Sequence, residues 1–313
     1  MRHGVMILPE QRWSISREKW VKAEQLGFDH AWTYDHLNWR WFREKPWFAT
    51  MPTLTAAALA TTRLQIGTMV ASPGIRHPVS FAKEVMTLDD LSDGRFLCGI
   101  GAGAGGFDDQ LLGLEPLSPA ARADRFAEFV TLTDRLLREP VTSYAGEYFV
   151  TSEAHVHPGC VQRPRVPLAV AATGPRGIRL AARHADIWVT IAWPGHGESV
   201  RYDKALPVLR EQSALLEREC AALGRDPASV RRLVVTGAMI DGVLESAETY
   251  RDACGVFDAI GITDMVVHWP RPDFPYEGDP DVLEDIAASV LSQNPSASPG
   301  PSSSEGRPRV AST

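Results

Sequence analysis

The 313-residue chain carries 39 acidic against 32 basic side chains, a net charge of −7, with 44% hydrophobic residues. That balance and the lack of a Lys/Arg run exclude a whole-chain electrostatic footprint for nucleic acid. No apolar run nears the ~18 residues a membrane span needs. The apolar stretch within residues 1–9 is too short for a signal-peptide core, so a soluble, cytoplasmic protein is expected. Short apolar runs at 4–8, 28–34, 64–71 and 95–101 read as strands, and 17–26, 51–62, 77–91 and 121–139 as the helices between them. Gly27 suits the C-terminal cap of the first helix. Phe81, Val85 and Leu88 share one face of the third. Strands at 166–172, 186–191, 232–240 and 264–269 then alternate with helices at 176–184, 199–223, 246–259 and 281–291.

Eight apolar strands in strict alternation with helices fit a closed parallel sheet, buried on both faces. No GxGxxG follows the first strand, which counts against the open doubly wound alternative. The expected fold is an α/β (β/α)8 TIM barrel over residues 1–291, a fold that takes about 250 residues or more. Residues 142–164 break the alternation and read as a small hairpin inserted between helix 4 and strand 5. From 292 to 313 the composition falls to Ser, Pro, Gly and Ala, which cannot bury enough apolar surface to order itself. Cys98, Cys160, Cys220 and Cys254 lack CxxC or Cys/His spacing and are expected as reduced thiols, with no metal site.

A barrel places its chemistry at the C-terminal ends of the strands. Asp35 and His36 follow the second strand, where His36 could exchange a proton near neutral pH and Asp35 could orient it or bind a cofactor. Four of the nine tryptophans, Trp32, Trp39, Trp41 and Trp47, crowd the same stretch, while Trp193 and Trp269 end strands six and eight. These aromatics suggest a pocket for a flat ring or an apolar substrate, or simply a plug in the barrel mouth. Gly101 and Gly103 after strand four would let the backbone approach a flat ligand. Ala171, Ala172, Gly174, Pro175, Arg176 and Gly177 open a helix after strand five, and its free amides, dipole and Arg176 suit a phosphate. Asp108 and Asp109 are acidic neighbours that serve either the site or a helix cap.

Taken together, these segments resemble the luciferase-like monooxygenase superfamily, and within it the F420-dependent oxidoreductases. The resemblance rests on Leu64-Gln-Ile-Gly-Thr-Met-Val-Ala-Ser-Pro, Arg76-His-Pro, Leu88-Asp-Asp-Leu-Ser-Asp-Gly-Arg and Gly99-Ile-Gly-Ala-Gly, with Asp35-His-Leu, Tyr144-Ala-Gly-Glu-Tyr, Val161-Gln-Arg-Pro and the 177–186 run in support. It implies coenzyme F420, or alternatively FMN with O2, lying across the barrel mouth. Asp35 would lie near the ring and His36 would be the proton donor or acceptor. Met69, Val70 and Ala71 would form a bulge against the ring, with a non-prolyl cis Met69–Val70 peptide. The 171–177 loop would hold the cofactor phosphate, the hairpin would shape the substrate entrance, and Arg76, Arg176 and Arg179 would face an anionic tail. Where glucose-6-phosphate-oxidising members carry Glu and Asn, this chain has Ala104 and Phe107. With Trp39, Trp41, Trp193 and Trp269, Phe107 points to a small apolar or aromatic substrate. A homodimer is common in such proteins, and a non-catalytic flavin-binding barrel is the remaining alternative.

Overall fold

A computed structural model describes residues 1–103, 106–193 and 198–293. Eight strands form one closed barrel: β1 (Arg2–Met6), β2 (His30–Thr33), β3 (Gln65–Thr68), β4 (Phe96–Ile100), β5 (Leu168–Ala171), β6 (Ile187–Thr190), β7 (Arg231–Val235) and β8 (Asp264–His268). Neighbours in sequence are neighbours in the ring, β8 pairs with β1, and every ladder is parallel. Outside run α1 (Trp13–Gln25), α2 (Thr50–Ala60), α3 (Pro78–Leu91), α4 (Pro119–Arg138), α5 (Pro175–His184), α6 (Leu206–Ala222), α7 (Ala247–Asp258) and α8 (Asp281–Ser289). This is the TIM barrel the alternation implied.

Side chains alternate between the two faces of each strand. Val5, Ala31, Ile66, Cys98, Val170, Trp188 and Val267 face outward onto the helices. Met6, Trp32, Leu97, Ala169, Val189, Leu233 and Val266 fill the interior. Trp32 is the largest of these, and two glycines make room around it. A Cβ on Gly67 would lie 2.5 Å from the indole, and one on Gly99 would lie 1.7 Å from the Thr68 carbonyl oxygen. The Trp32 indole N–H donates to His30 Nδ1 at 2.7 Å, which puts the His30 proton on Nε2, donating to Asp264 at 3.0 Å. Arg231 completes the pairing of this fully buried carboxylate and closes the N-terminal end of the barrel.

Helix faces follow from spacing. In α4, Phe126, Phe129, Val130, Thr133, Leu136 and Leu137 are buried at three- and four-residue intervals, and Ser118 caps the start by accepting from the Ala121 amide. The inserted hairpin is present as Val141–Ala145 paired antiparallel to Val150–His155. Two elements differ from their sequence readings. The expected strand at 232–240 ends at Val235, because Gly237 takes φ +94° and turns the chain. Ile240–Asp241 pairs instead with Val200–Arg201, so the expected helix from 199 begins only at Leu206. Of the expected disordered tail, 294–313 lies outside the described residues, while Leu291–Gln293 forms a 3-10 turn.

Candidate active site

The loops after β2, β3, β4 and β5 converge at the C-terminal mouth. Asp35 is buried and receives two hydrogen bonds from Arg76, from Nε at 2.9 Å and Nη2 at 2.7 Å. Arg76 also reaches Glu84 of α3 at 2.9 Å. Both members of this forked pair are therefore committed to each other, and Arg76 is a brace inside the mouth rather than a cation on its rim.

His36 is turned the other way. Its Nδ1 lies 2.7 Å from Asp108 Oδ2, while Asp108 Oδ1 accepts the Leu37 amide at 2.9 Å. Burial alone would raise the Asp108 pKa, but the hydrogen bond and charge of His36 and the Leu37 and Asn38 amides outweigh it and hold the carboxyl below its ordinary value. The Trp47 indole N–H donates to the His36 carbonyl at 3.0 Å. With Nδ1–H directed at a carboxylate, Nε2 is the ring atom able to give or take a proton. Asp108 belongs to a five-residue helix, Phe107–Leu111, that follows the glycine turn. Its neighbour Asp109 is the cap, accepting the Gly106 amide at 3.1 Å. The two carboxylates, alike in sequence, thus divide into a partner for His36 and a helix cap.

The floor is made where β3 and β4 end. The Met69–Val70 peptide is cis. The Ala71 amide donates to Gly99 and the Gly101 amide to Ala71, tying the two strand ends together. A Cβ on Gly101 would lie 2.4 Å from Val70 Cγ2 and 3.6 Å from the Ala171 Cβ, so only glycine lets these three segments meet. Gly103 takes φ +75° beside Ser72. Ala104 lies outside the described residues.

Beside the floor, Ala171, Ala172, Thr173 and Gly174 lead into α5 with Pro175 at its first turn. The loop lines a cleft of about 690 Å³ together with Arg122, Arg176, Gly177, Arg179 and Arg183. Arg176 pairs with Asp124 and Arg179 with Glu219. A Cβ on Gly177 would come 2.8 Å from the Ala172 Cβ, which makes this turn tight. The amides at the start of α5, the helix dipole and the arginines suit a phosphate group or a longer anion.

Of the aromatic candidates, Trp39 is central. It meets Tyr34 (5.0 Å, 69°) and Trp41 (4.7 Å, 82°) edge to face and stacks on Tyr276 (6.1 Å, 14°). Trp41 is 40% exposed at the rim, and Phe107 lies under the Arg43 guanidinium. Trp193 is exposed beside residues 194–197, which are outside the described set. Trp269 is not brought to this cluster: it packs with the core between strands and helices.

Sequence reasoning missed Tyr34, His268 and Tyr276. The Tyr34 hydroxyl lies 2.7 Å from His268 Nε2 and 2.8 Å from the Tyr276 hydroxyl, 234 and 242 residues away in the chain. The only advance signal was position, since Tyr34 and His268 both stand at strand ends. Among the described residues no cluster of His, Cys, Asp and Glu could hold a metal ion, and no helix is long and apolar enough to cross a membrane.

A closed (β/α)8 barrel whose mouth joins a histidine–carboxylate pair, a floor with a cis peptide and a helix N-terminus defines a TIM-barrel protein with a cofactor-type cleft. A family model for luciferase-like monooxygenases matches residues 1–253, and the chain belongs to that family. The chain is 34% identical over 213 residues to an F420-dependent glucose-6-phosphate dehydrogenase of Beutenbergia cavernae, covering 65% of this chain and 59% of the relative. It is 26% identical to a 5,10-methylenetetrahydromethanopterin reductase of Methanopyrus kandleri, over 92% of this chain and 88% of the relative. The solved structure of coenzyme F420 dependent tetrahydromethanopterin reductase from the same organism superposes with a TM-score of 0.70 at 18% identity, covering 92% of this chain and 97% of that one. That last likeness concerns the fold alone.

Proposed function

We propose that the protein is an F420-dependent oxidoreductase acting in the cytoplasm on a small, apolar or aromatic organic molecule. The observation that carries this reading is the His36–Asp108 pair at the same barrel mouth as the Val70–Gly101 floor and the α5 N-terminus. The residues present fit a tricyclic deazaflavin. Val70 packs over Gly101 after the cis Met69–Val70 peptide and offers a compact apolar floor for the ring, and Ala171, Ala172, Gly174 and Gly177 suit its phosphate. Arg122 and Arg176, near the starts of α4 and α5, line the end of the cleft where an anionic tail would leave the phosphate loop, which favours F420 over the shorter FMN. When bound, the deazaflavin supplies a carbon that gives or takes hydride.

The chain's own part is proton handling and positioning. Asp108 holds the His36 ring in one tautomer, so that Nε2 exchanges the proton that accompanies hydride movement. Asp35 and Arg76 brace the loop that carries His36. Trp39, Trp41 and Phe107 cover the mouth with apolar surface and keep water from the reacting atoms. The relatives named for glucose-6-phosphate support the cofactor more than the substrate, because Phe107 offers a sugar phosphate no polar group.

Titrating the purified protein with F420 and with FMN, followed by protein fluorescence, tests the reading. Tight F420 binding with weak FMN binding is expected. Tight FMN binding without F420 binding would favour the monooxygenase alternative, and cofactor binding without turnover on any substrate the non-catalytic one.

A further inference from the structure

Tyr34 directly follows β2, two residues before His36, and its ring is a hub of the barrel mouth. It meets His36 edge-on at 6.3 Å and 85°, Trp39 at 5.0 Å, Trp47 at 6.4 Å and His268 at 5.8 Å. Its main chain is held as well, since the Thr50 hydroxyl donates to the Tyr34 carbonyl at 2.7 Å.

His268, the buried last residue of β8, sets the direction of the hydrogen bonds at the Tyr34 hydroxyl. Its Nδ1 lies 2.8 Å from the Thr236 carbonyl oxygen, which can only accept, so Nδ1 carries a proton. Burial, opposed by that carbonyl, pushes the ring pKa down to about 3, so at neutral pH Nε2 is bare and can only accept. Tyr34 therefore donates to Nε2 at 2.7 Å. A phenol has one proton, so Tyr276 donates to Tyr34 at 2.8 Å. Burial, with Tyr276 beside it, pushes the Tyr34 phenol well above its ordinary value. Its proton stays on the bond to His268, which makes the hydroxyl an anchor. Tyr276 stacks on His268 with centroids 3.5 Å apart and planes at 15°, which fixes the ring that receives this anchor. A Cβ on Gly237 would come 2.6 Å from His268 Nδ1, so glycine makes the stack possible.

His36 is thus held by two contacts: Asp108 lies 2.7 Å from its Nδ1, and the Tyr34 ring stands edge-on to its imidazole. A Tyr34 ring free to turn would give up that contact and let His36 take a second staggered rotamer, out of reach of Asp108. We infer that Tyr34 and His268 are positioning residues for His36: the hydrogen bond between them, made across 234 positions of sequence, holds the imidazole on Asp108 and so keeps it in one tautomer. The consequence for turnover rests on the oxidoreductase reading. The hold on the ring does not, and the protein without cofactor tests it.

Long-range proton–nitrogen correlation NMR reads the tautomer of His36, whose signals are identified by their loss in His36→Ala. The wild type is expected to show the Nδ1–H tautomer alone. Tyr34→Phe removes the donor, and His268→Asn keeps an amide for the Thr236 carbonyl but offers Tyr34 no acceptor; each should show a mixture of tautomers. His268→Gln is long enough to place an acceptor where Nε2 stood and should restore the single form. Turnover should fall about tenfold in Tyr34→Phe and in His268→Asn, with no further loss in the double variant, because both break one bond. Both limbs of the pH profile should remain. A single Nδ1–H tautomer that persists in Tyr34→Phe and His268→Asn would overturn the inference, as would losses that multiply in the double variant. So would a limb of the pH profile lost in Tyr34→Phe, which would make Tyr34 itself the proton carrier. If either single variant does not fold, the tautomer in the other decides. A wild type without turnover under any cofactor would sink the oxidoreductase reading and leave the tautomers to decide this one.

Discussion

Asp108 Oδ2 and His36 Nδ1 stand 2.7 Å apart, joining a residue of the helix after β4 to the loop after β2 across 72 positions of sequence. The pair fixes which nitrogen of His36 is free, and this fixes its chemical role. His36→Ala should lower turnover by about 10²–10⁴-fold, the range for a lost general acid or base, with little change in cofactor affinity. Asp108→Asn removes the carboxylate but keeps the shape. It should lower turnover by about tenfold or more and shift the pH profile, while cofactor affinity holds. Steady-state kinetics across pH checks both, and an unchanged pH profile in Asp108→Asn would separate that residue from the mechanism.

Arg76→Leu should destabilise the fold. It strands the Asp35 carboxylate, 2% exposed, without its forked partner. Removing one member of such a pair costs about 3–5 kcal/mol. Urea unfolding measures it; a loss under about 1 kcal/mol would mean that water reaches Asp35.

Gly99→Ala should be more damaging than an alanine on any exposed loop. Its Cβ would fall 1.7 Å from the Thr68 carbonyl oxygen, so β3 and β4 would have to separate beneath the floor of the site. Overpacking of this kind costs about 1–3 kcal/mol or more. A thermal midpoint equal to wild type would contradict the close approach of these strands.

Acid should weaken the protein in a defined window. Burial depresses His3 to about 4, with Asp29 opposing, and His268 to about 3. The unfolded chain protonates these groups near pH ~6.5 and the folded chain only at the lower values. Their contribution is therefore complete above pH ~6.5. It is lost as pH falls toward about 4 for His3 and about 3 for His268. The urea midpoint should fall steadily from pH 6.5 to 4, less steeply in His3→Asn; a flat wild-type profile would contradict the burial of both rings.

The barrel was legible because parallel strands buried on both faces leave apolar runs, and because eight of them alternate with helices. The glycine turn and the loop before α5 were legible for a related reason: backbone approach and free amides are local properties. Partnerships were not. Nothing near Asp35 in sequence shows that it binds Arg76, and Asp108 and Asp109 are indistinguishable until the helix after the glycine turn aims one at His36 and the other at its own first amide. Trp269 shows the limit of reading strand ends, since the last residue of a run can face either side of the sheet and this one faces the helices. Tyr276 lies in a long loop after β8, where neither period nor motif marks it.

A crystal structure of the protein with F420 bound would bear most directly on the proposed function. The expected result is the cofactor phosphate on the amides at the start of α5, near Gly174 and Gly177, the ring over Val70 and Gly101, and its reactive edge toward His36 Nε2. A cofactor seated elsewhere, or one whose ring cannot approach His36 while its phosphate is held by that loop, would contradict it.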